Sequence, residues 1–296
     1  WLPDDALVVQ GVDRHQTRLQ RTVFTLPDGT VAPMGEEAQP CWINLDTDFV
    51  TFSPEAHGRD SVQPVHILTT TEASGFRHVA CLNRRGDAHA VTTGSWAVDK
   101  VLAVLPEDET VLFTGDADTP LERHLYSVPL SGGEPQCITA PGRTWAITMS
   151  ADGKSFVGTS ASPGQPPQVG LYKADGGLIA WIEENRLDED HPYAPFLKDH
   201  VLPEFGTLKA EDGQDLYYSI LKPPGFDPSK KYPVIVEVYG GPHVQTVVNE
   251  WGRVSDQFYA REGYILFRLD NRGSANRGKK FEDVIYRRTG GPEVRD

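Results

Sequence analysis

The sequence predicts all-β propeller blades followed by the start of an α/β domain. Three observations carry this. Residues 1 to about 195 hold many short β-like runs broken by Gly, Pro, Asp and Ser, with no long stretch of helical period. Those runs repeat at a period of roughly 40–50 residues, as blades of four strands do. After residue 195 the texture changes, and two β-branched runs appear, each ending in a Gly-rich polar turn.

In the first part, Asp5–Gln10, Phe76–Leu82, Thr110–Thr114, Leu121–Val128 and Ser155–Thr159 read as strands. Gly75-Phe76-Arg77-His78 leads into a strand, the turn Asn83-Arg84-Arg85-Gly86-Asp87, and then Gly94-Ser95-Trp96. Glu122-Arg123-His124 leads into a strand, the turn Ser131-Gly132-Gly133-Glu134, and then Arg143-Thr144-Trp145. The two His are 46 residues apart and the two Trp are 49 apart. A third, degraded copy runs through Gln168–Lys173, the turn Ala174–Gly177, and Trp181. About four blades fit in residues 1–195, and the pattern is already under way at Trp1, so further blades are expected upstream. The repeated Arg-His and Trp read as scaffold. Glu183-Glu184 reads as part of a solvated acidic linker.

His191-Pro192-Tyr193-Ala194-Pro195 marks the expected boundary, giving domains of 1–195 and 196–296. Glu204–Ala210 and Leu216–Leu221 form a predicted hairpin around Glu211-Asp212-Gly213-Gln214. Val234–Tyr239 reads as a strand buried on both faces, and Tyr264–Leu269 as a second, parallel to it. About two dozen residues between them suffice for a crossover. A helix is expected from Lys279, carrying Phe281, Val284 and Ile285. In open α/β sheets, sites gather past the carboxyl ends of strands. That points to Tyr239-Gly240-Gly241-Pro242 and Asp270-Asn271-Arg272-Gly273.

Composition excludes several classes. A net charge of −14 disfavours nucleic acid and anionic membranes. No apolar run approaches the ~20 residues of a membrane span. Cys41, Cys81 and Cys137 are odd in number and widely spaced, which is no disulfide framework and no zinc motif. The nine His show no HExxH, and no metal or cofactor is expected. Gly273–Lys279 matches GxxxxGK, but Lys280 stands where a P-loop needs Ser or Thr for Mg²⁺. No G-x-S-x-G nucleophile elbow occurs in the chain. Tyr239-Gly240-Gly241-Pro242 has the form of a loop that stabilises an oxyanion. It is equally compatible with a glycine turn carrying a packed Tyr.

At these residues the chain resembles the prolyl oligopeptidase family of serine peptidases, in its dipeptidyl peptidase IV branch. Lys231-Tyr232-Pro233, Val238–Gln245, Asp270–Ser274 and Arg287-Arg288 are similar to successive landmarks of that branch. Ser74–His78 and Thr92–Trp96 extend the likeness upstream. The form Val238-Tyr239-Gly240-Gly241-Pro242-His243-Val244-Gln245 resembles bacterial members and the cytosolic mammalian relatives more than the cell-surface mammalian enzyme.

The resemblance implies part of an eight-bladed propeller and the first part of an α/β-hydrolase domain. It implies removal of N-terminal Xaa-Pro or Xaa-Ala dipeptides from peptide substrates through an acyl-enzyme. It makes Tyr239 the side-chain oxyanion donor and puts the catalytic Ser, Asp and His outside these residues. The family's paired Glu belong to an earlier blade, so Glu183-Glu184 does not inherit their role. Asp270, Asn271 and Arg272 match a structural turn. Acylaminoacyl peptidase, oligopeptidase and tripeptidyl peptidase activities belong to the same family, and a non-enzymatic propeller binding module is the alternative from another class. The expected setting is soluble, cytoplasmic or periplasmic, and homodimers are common in the family.

Overall fold

A computed structural model describes residues 2, 5–26, 28–45, 49–52 and 66–296. Trp1, where the blade pattern starts, lies outside the described residues. The chain forms two compact units. One comprises 1–117, 125–139 and 149–154; the other comprises 118–124, 140–148 and 155–296.

Among the described residues, four antiparallel sheets precede residue 195, each of strands consecutive in the chain. The first holds β1 (Ala6–Val12), β2 (Arg18–Thr25) and β3 (Thr30–Ala38). The second holds β4 (Val50–Phe52), β5 (His66–Thr71), β6 (His78–Asn83) and β7 (Ala88–Ala90). The third holds β8 (Val98–Leu105), β9 (Thr110–Gly115), β10 (His124–Pro129) and β11 (Gln136–Cys137). The fourth holds β12 (Thr144–Met149), β13 (Ser155–Ser162), β14 (Gln165–Lys173) and β15 (Leu178–Glu183). These are the propeller blades.

In the first unit, successive sheets bury their alternating apolar residues against one another. Ala6, Val23, Met34, Ile67, Ala80 and Leu82 form one core layer. Leu68, Val79, Val98, Val111, Phe113 and Tyr126 form the next. Phe113 stacks on Tyr126 at 5.5 Å and on Trp96 at 5.8 Å.

The repeated His and Trp fall at equivalent places. His78 opens β6 and His124 opens β10, the third strands of their blades. Both are buried and internally bonded. His78 meets Thr92 Oγ1 and the Gly94 carbonyl at 3.1 Å each, edge-on to Trp96. His124 Nε2 lies 2.8 Å from Glu122 Oε2. The third copy departs from the pattern. Its Trp181 lies in β15, a fourth strand, whereas Trp96 and Trp145 stand at the start of the next blade. Trp181 meets Tyr172 edge-on instead. Strand β10 also starts three residues later than predicted, because 121–123 serve a different purpose described below.

The second unit contains the α/β part. Strands β16 (Glu204–Lys209), β17 (Asp215–Leu221), β18 (Val234–Glu237) and β19 (Ile265–Leu269) form a sheet in the order β16-β17-β19-β18. The hairpin turns at Gly213, whose φ of +83° suits glycine. Strands β18 and β19 are parallel, with Val236 opposite Phe267. Between them runs α1 (Val254–Arg261), whose Ala260 packs with Leu221 and Leu266. Helix α2 (Lys279–Glu282) is one turn, continued by a 3₁₀ turn over Asp283–Ile285, and α3 (Pro292–Arg295) follows.

One expectation fails here. The run Val234–Tyr239 is not buried on both faces. Val234, Val236 and Val238 are more than half exposed. The strand is outermost in the described sheet, and the face carrying Val234 and Val236 is uncovered.

Candidate active site

The two turns singled out above meet past the carboxyl ends of β18 and β19. They do so with opposite character. Tyr239 is 57% exposed. Gly240 has φ +73°, a conformation an L residue adopts only with strain. At Gly241 a Cβ would lie 2.8 Å from Tyr239 Cε1, so the ring folds over backbone that only glycine leaves clear. Tyr239 is therefore presented on a glycine turn and not packed into a core.

The chain beyond Tyr239 is tied to the second turn. The His243 amide donates to the Gly273 carbonyl at 3.0 Å. Asp270, buried directly after β19, takes three donors in its carboxylate. Thr246 N and Thr246 Oγ1 reach Oδ1 at 2.7 and 2.8 Å, and Val247 N reaches Oδ2 at 3.2 Å. Burial pushes the Asp270 carboxyl above the usual aspartate range, and these donors oppose that shift without cancelling it.

The rest of the second turn is a buried scaffold. Asn271 Nδ2 donates to the Arg272 carbonyl, and Ser274 Oγ donates to the Asn271 carbonyl at 2.8 Å. Arg272 forks onto Asp296 and reaches Asp212 at 3.1 Å. Those carboxylates hold its guanidinium still more firmly charged. Arg277 lies between the rings of Tyr217 and Phe281, at 4.2 and 5.0 Å. The GxxxxGK match is thereby explained without phosphate. Lys279 is buried and paired with Asp283 at 2.8 Å, and Ser274 bonds back to its own turn.

A second set of polar contacts had no signal in the sequence. Gln245 and Asn249, in the segment between Tyr239 and α1, bond to the loop that joins β9 to β10. Arg123 Nη2 donates to Gln245 Oε1 at 2.6 Å, and Gln245 Nε2 donates to the Pro120 carbonyl at 2.6 Å. Asn249 Nδ2 donates to Glu122 Oε1 at 2.6 Å, and its amide donates to the Leu121 carbonyl at 2.8 Å.

A cavity of about 240 Å³ lies in this unit beside α1, bordered by Glu237 and Thr246. Four of its charged lining residues pair with one another. Arg268 bridges Glu237 and Asp256 at 2.9 and 2.6 Å, and Arg253 also pairs with Glu237. Burial works to raise the Glu237 carboxyl, but the two guanidiniums outweigh it and hold the group below its usual range. Besides this ion-pair network, the lining carries the hydroxyls of Ser219 and Thr246 and the carboxyl of Glu250, which burial raises above its usual range. Glu183 is exposed, and Glu184, half-buried, pairs with Arg186 at 2.7 Å. Among the described residues no group of three His, Cys, Asp or Glu has metal-binding geometry. None of their helices is long and apolar enough to cross a membrane.

Residues 1–167 match the model of the dipeptidyl peptidase IV N-terminal region, and residues 253–296 match that of the prolyl oligopeptidase family. The chain belongs to the dipeptidyl peptidase IV branch of the prolyl oligopeptidase family. Human dipeptidyl peptidase 8 is 30% identical to 96% of the chain, which covers 37% of that protein. A Bacteroides ovatus structure described as a dipeptidyl aminopeptidase IV superposes with a TM-score of 0.84 at 28% identity, over 100% of this chain and 44% of its own. Porphyromonas gingivalis dipeptidyl peptidase 4 shares the fold, with a TM-score of 0.81 at 21% identity, over 95% of this chain and 38% of its own. The chain spans a little over a third of the length of the curated relatives it matches. The family assignment makes the fold plain: propeller blades, then the start of an α/β-hydrolase domain.

Proposed function

We propose that this chain is part of a serine exopeptidase that releases N-terminal dipeptides with Pro or Ala in second place. In this reading residues 1–195 are propeller and 196–296 open the catalytic domain. The attacking Ser and its His and Asp partners lie in the rest of the protein. Attack on the scissile carbonyl turns its oxygen into an oxyanion, and the Tyr239 hydroxyl donates a hydrogen bond to it. The intermediate collapses, breaking the peptide C–N bond; the shortened peptide leaves as an amine protonated by the His, and water then hydrolyses the dipeptidyl-enzyme ester, releasing the dipeptide and restoring the Ser. The observation that carries the reading is an exposed Tyr239 on a glycine turn that is itself anchored to a buried second turn. A donor placed there binds developing charge more strongly than the neutral carbonyl.

The test uses the complete protein and chromogenic Xaa-Pro and Xaa-Ala substrates with free and blocked amines. Cleavage is expected only with the free amine. Tyr239→Phe should lower kcat by about 10²-fold with KM nearly unchanged, as loss of one oxyanion donor does. An unaltered kcat would remove Tyr239 from the chemistry. Preference for blocked amines would move the protein to the acylaminoacyl type.

A further inference from the structure

The tetrapeptide 120–123 lies more than 110 residues upstream of Tyr239, outside the α/β sheet. Yet it makes four short hydrogen bonds to Gln245 and Asn249, within the first ten residues after Tyr239. The contacts are built and not incidental. Glu122 is buried, and both its oxygens are engaged. Oε1 takes Asn249, while Oε2 takes His124 at 2.8 Å and the Gly142 amide at 3.1 Å. Arg123 is fixed from behind, because its Nη1 donates to the Pro120 and Glu122 carbonyls. Gln245 uses both ends of its amide. Oε1 accepts from Arg123 and Asn276, and Nε2 donates to the carbonyls of Pro120 and Val247. A half-buried polar hub built on the buried Glu122, with its members cross-bonded, favours one arrangement over others.

The segment after Tyr239 is thus held at two places. Asp270 grips Thr246 and Val247 from the α/β side. Residues 120–123 grip Gln245 and Asn249 from the loop before β10. Among the described residues no hydrogen bond holds Tyr239 itself, so its placement is inherited from the segment behind it. An oxyanion donor has to be placed to within a fraction of an ångström, and a 1 Å misplacement costs on the order of 10²-fold.

We propose that Glu122 and Arg123 are positioning residues for Tyr239, acting through Asn249 and Gln245. The proposal rests on the reading of Tyr239 as oxyanion donor. A residue that acts through Tyr239 should matter only while Tyr239 carries its hydroxyl.

The experiment is a double-mutant cycle in the complete enzyme with Arg123→Met, Tyr239→Phe and their combination. Each is assayed for kcat and KM on a free-amine Xaa-Pro substrate, with thermal unfolding of every variant. Expected is a fall in kcat of about 10-fold for Arg123→Met with KM within about 2-fold, and almost no further fall when it is added to Tyr239→Phe. Arg123→Lys, which keeps a donor for Gln245, should recover most of the lost kcat. Multiplying effects in the double variant would overturn the proposal and leave the oxyanion reading standing. A Tyr239→Phe enzyme with full kcat would defeat the oxyanion reading itself. Should Arg123→Met fail to fold, Asn249→Ser, which cuts only the link to Glu122, is read through the same cycle with the same two outcomes.

Discussion

Tyr239 follows β18 and stands 57% exposed; Asp270 follows β19 and is 2% exposed. Both turns are Gly-rich, polar and placed at the same end of one parallel strand pair. Yet in the second, Asp270, Asn271, Arg272 and Ser274 are all buried, and each has its polar atoms engaged. In the first, the ring of Tyr239 lies over bare backbone. Under the proposed function, the contrast separates the part that does chemistry from the part that holds it. A buried, satisfied turn supplies stiffness, and an exposed one supplies a reachable hydroxyl.

The contrast is broken or sharpened most strongly at Asp270. Asp270→Ala leaves the Thr246 and Val247 amides without their acceptor and should cost about 3 kcal/mol or more in urea unfolding of the complete protein. A loss under about 1 kcal/mol would mean that the second turn anchors nothing.

Alanine at the two positive-φ glycines should then give unequal losses. At Gly273 the new Cβ meets Ile285 Cδ1 at 2.4 Å on top of a φ of +104°, for about 2 kcal/mol or more. At Gly240 nothing lies within 4 Å, so only the backbone strain remains, about 1 kcal/mol. Equal losses would erase the distinction between the turns.

The smallest effect is a slope. Burial raises the folded pKa of Asp270 above its unfolded value. Between those two values the folded protein keeps a proton that the unfolded chain has lost, so the stability due to Asp270 falls as pH rises through that window and is level above it. Asp270→Asn has no such proton. Urea midpoints of the two proteins from about pH 4 to about pH 7 should differ by an amount that changes in the acid half of the range only. A constant difference would place the folded value at the ordinary one.

Much of this architecture was legible because its signals are local. The 46-residue interval between His78 and His124 gave the blades, and Asp212-Gly213 gave the hairpin that turns at φ +83°. The β-branched runs gave the parallel pair. The errors arose where local pattern has no say. A run such as Val234–Tyr239 shows that a strand is apolar, but not whether its second face is covered. Trp181 looked like the third of a series because spacing tolerates a shift of one strand. Leu121–Arg123 looked like the start of a strand, yet these residues serve partners over 120 positions away. The turn singles out Tyr239 as a candidate, and its role there comes from the family resemblance. Nothing singles out Gln245 and Asn249, since their partners are fixed only by the folded chain.

That separation also sets an order in time. Glu122 and Arg123 leave the ribosome 127 and 122 residues ahead of Asn249 and Gln245. At about 5–20 residues per second that is a lead of roughly 6–25 s. The earlier segment can therefore be folded and waiting, with Glu122 already oriented by His124 and Gly142, when the later one emerges. In nascent-chain terms the blade loop is the mould, and the stretch behind Tyr239 is cast against it.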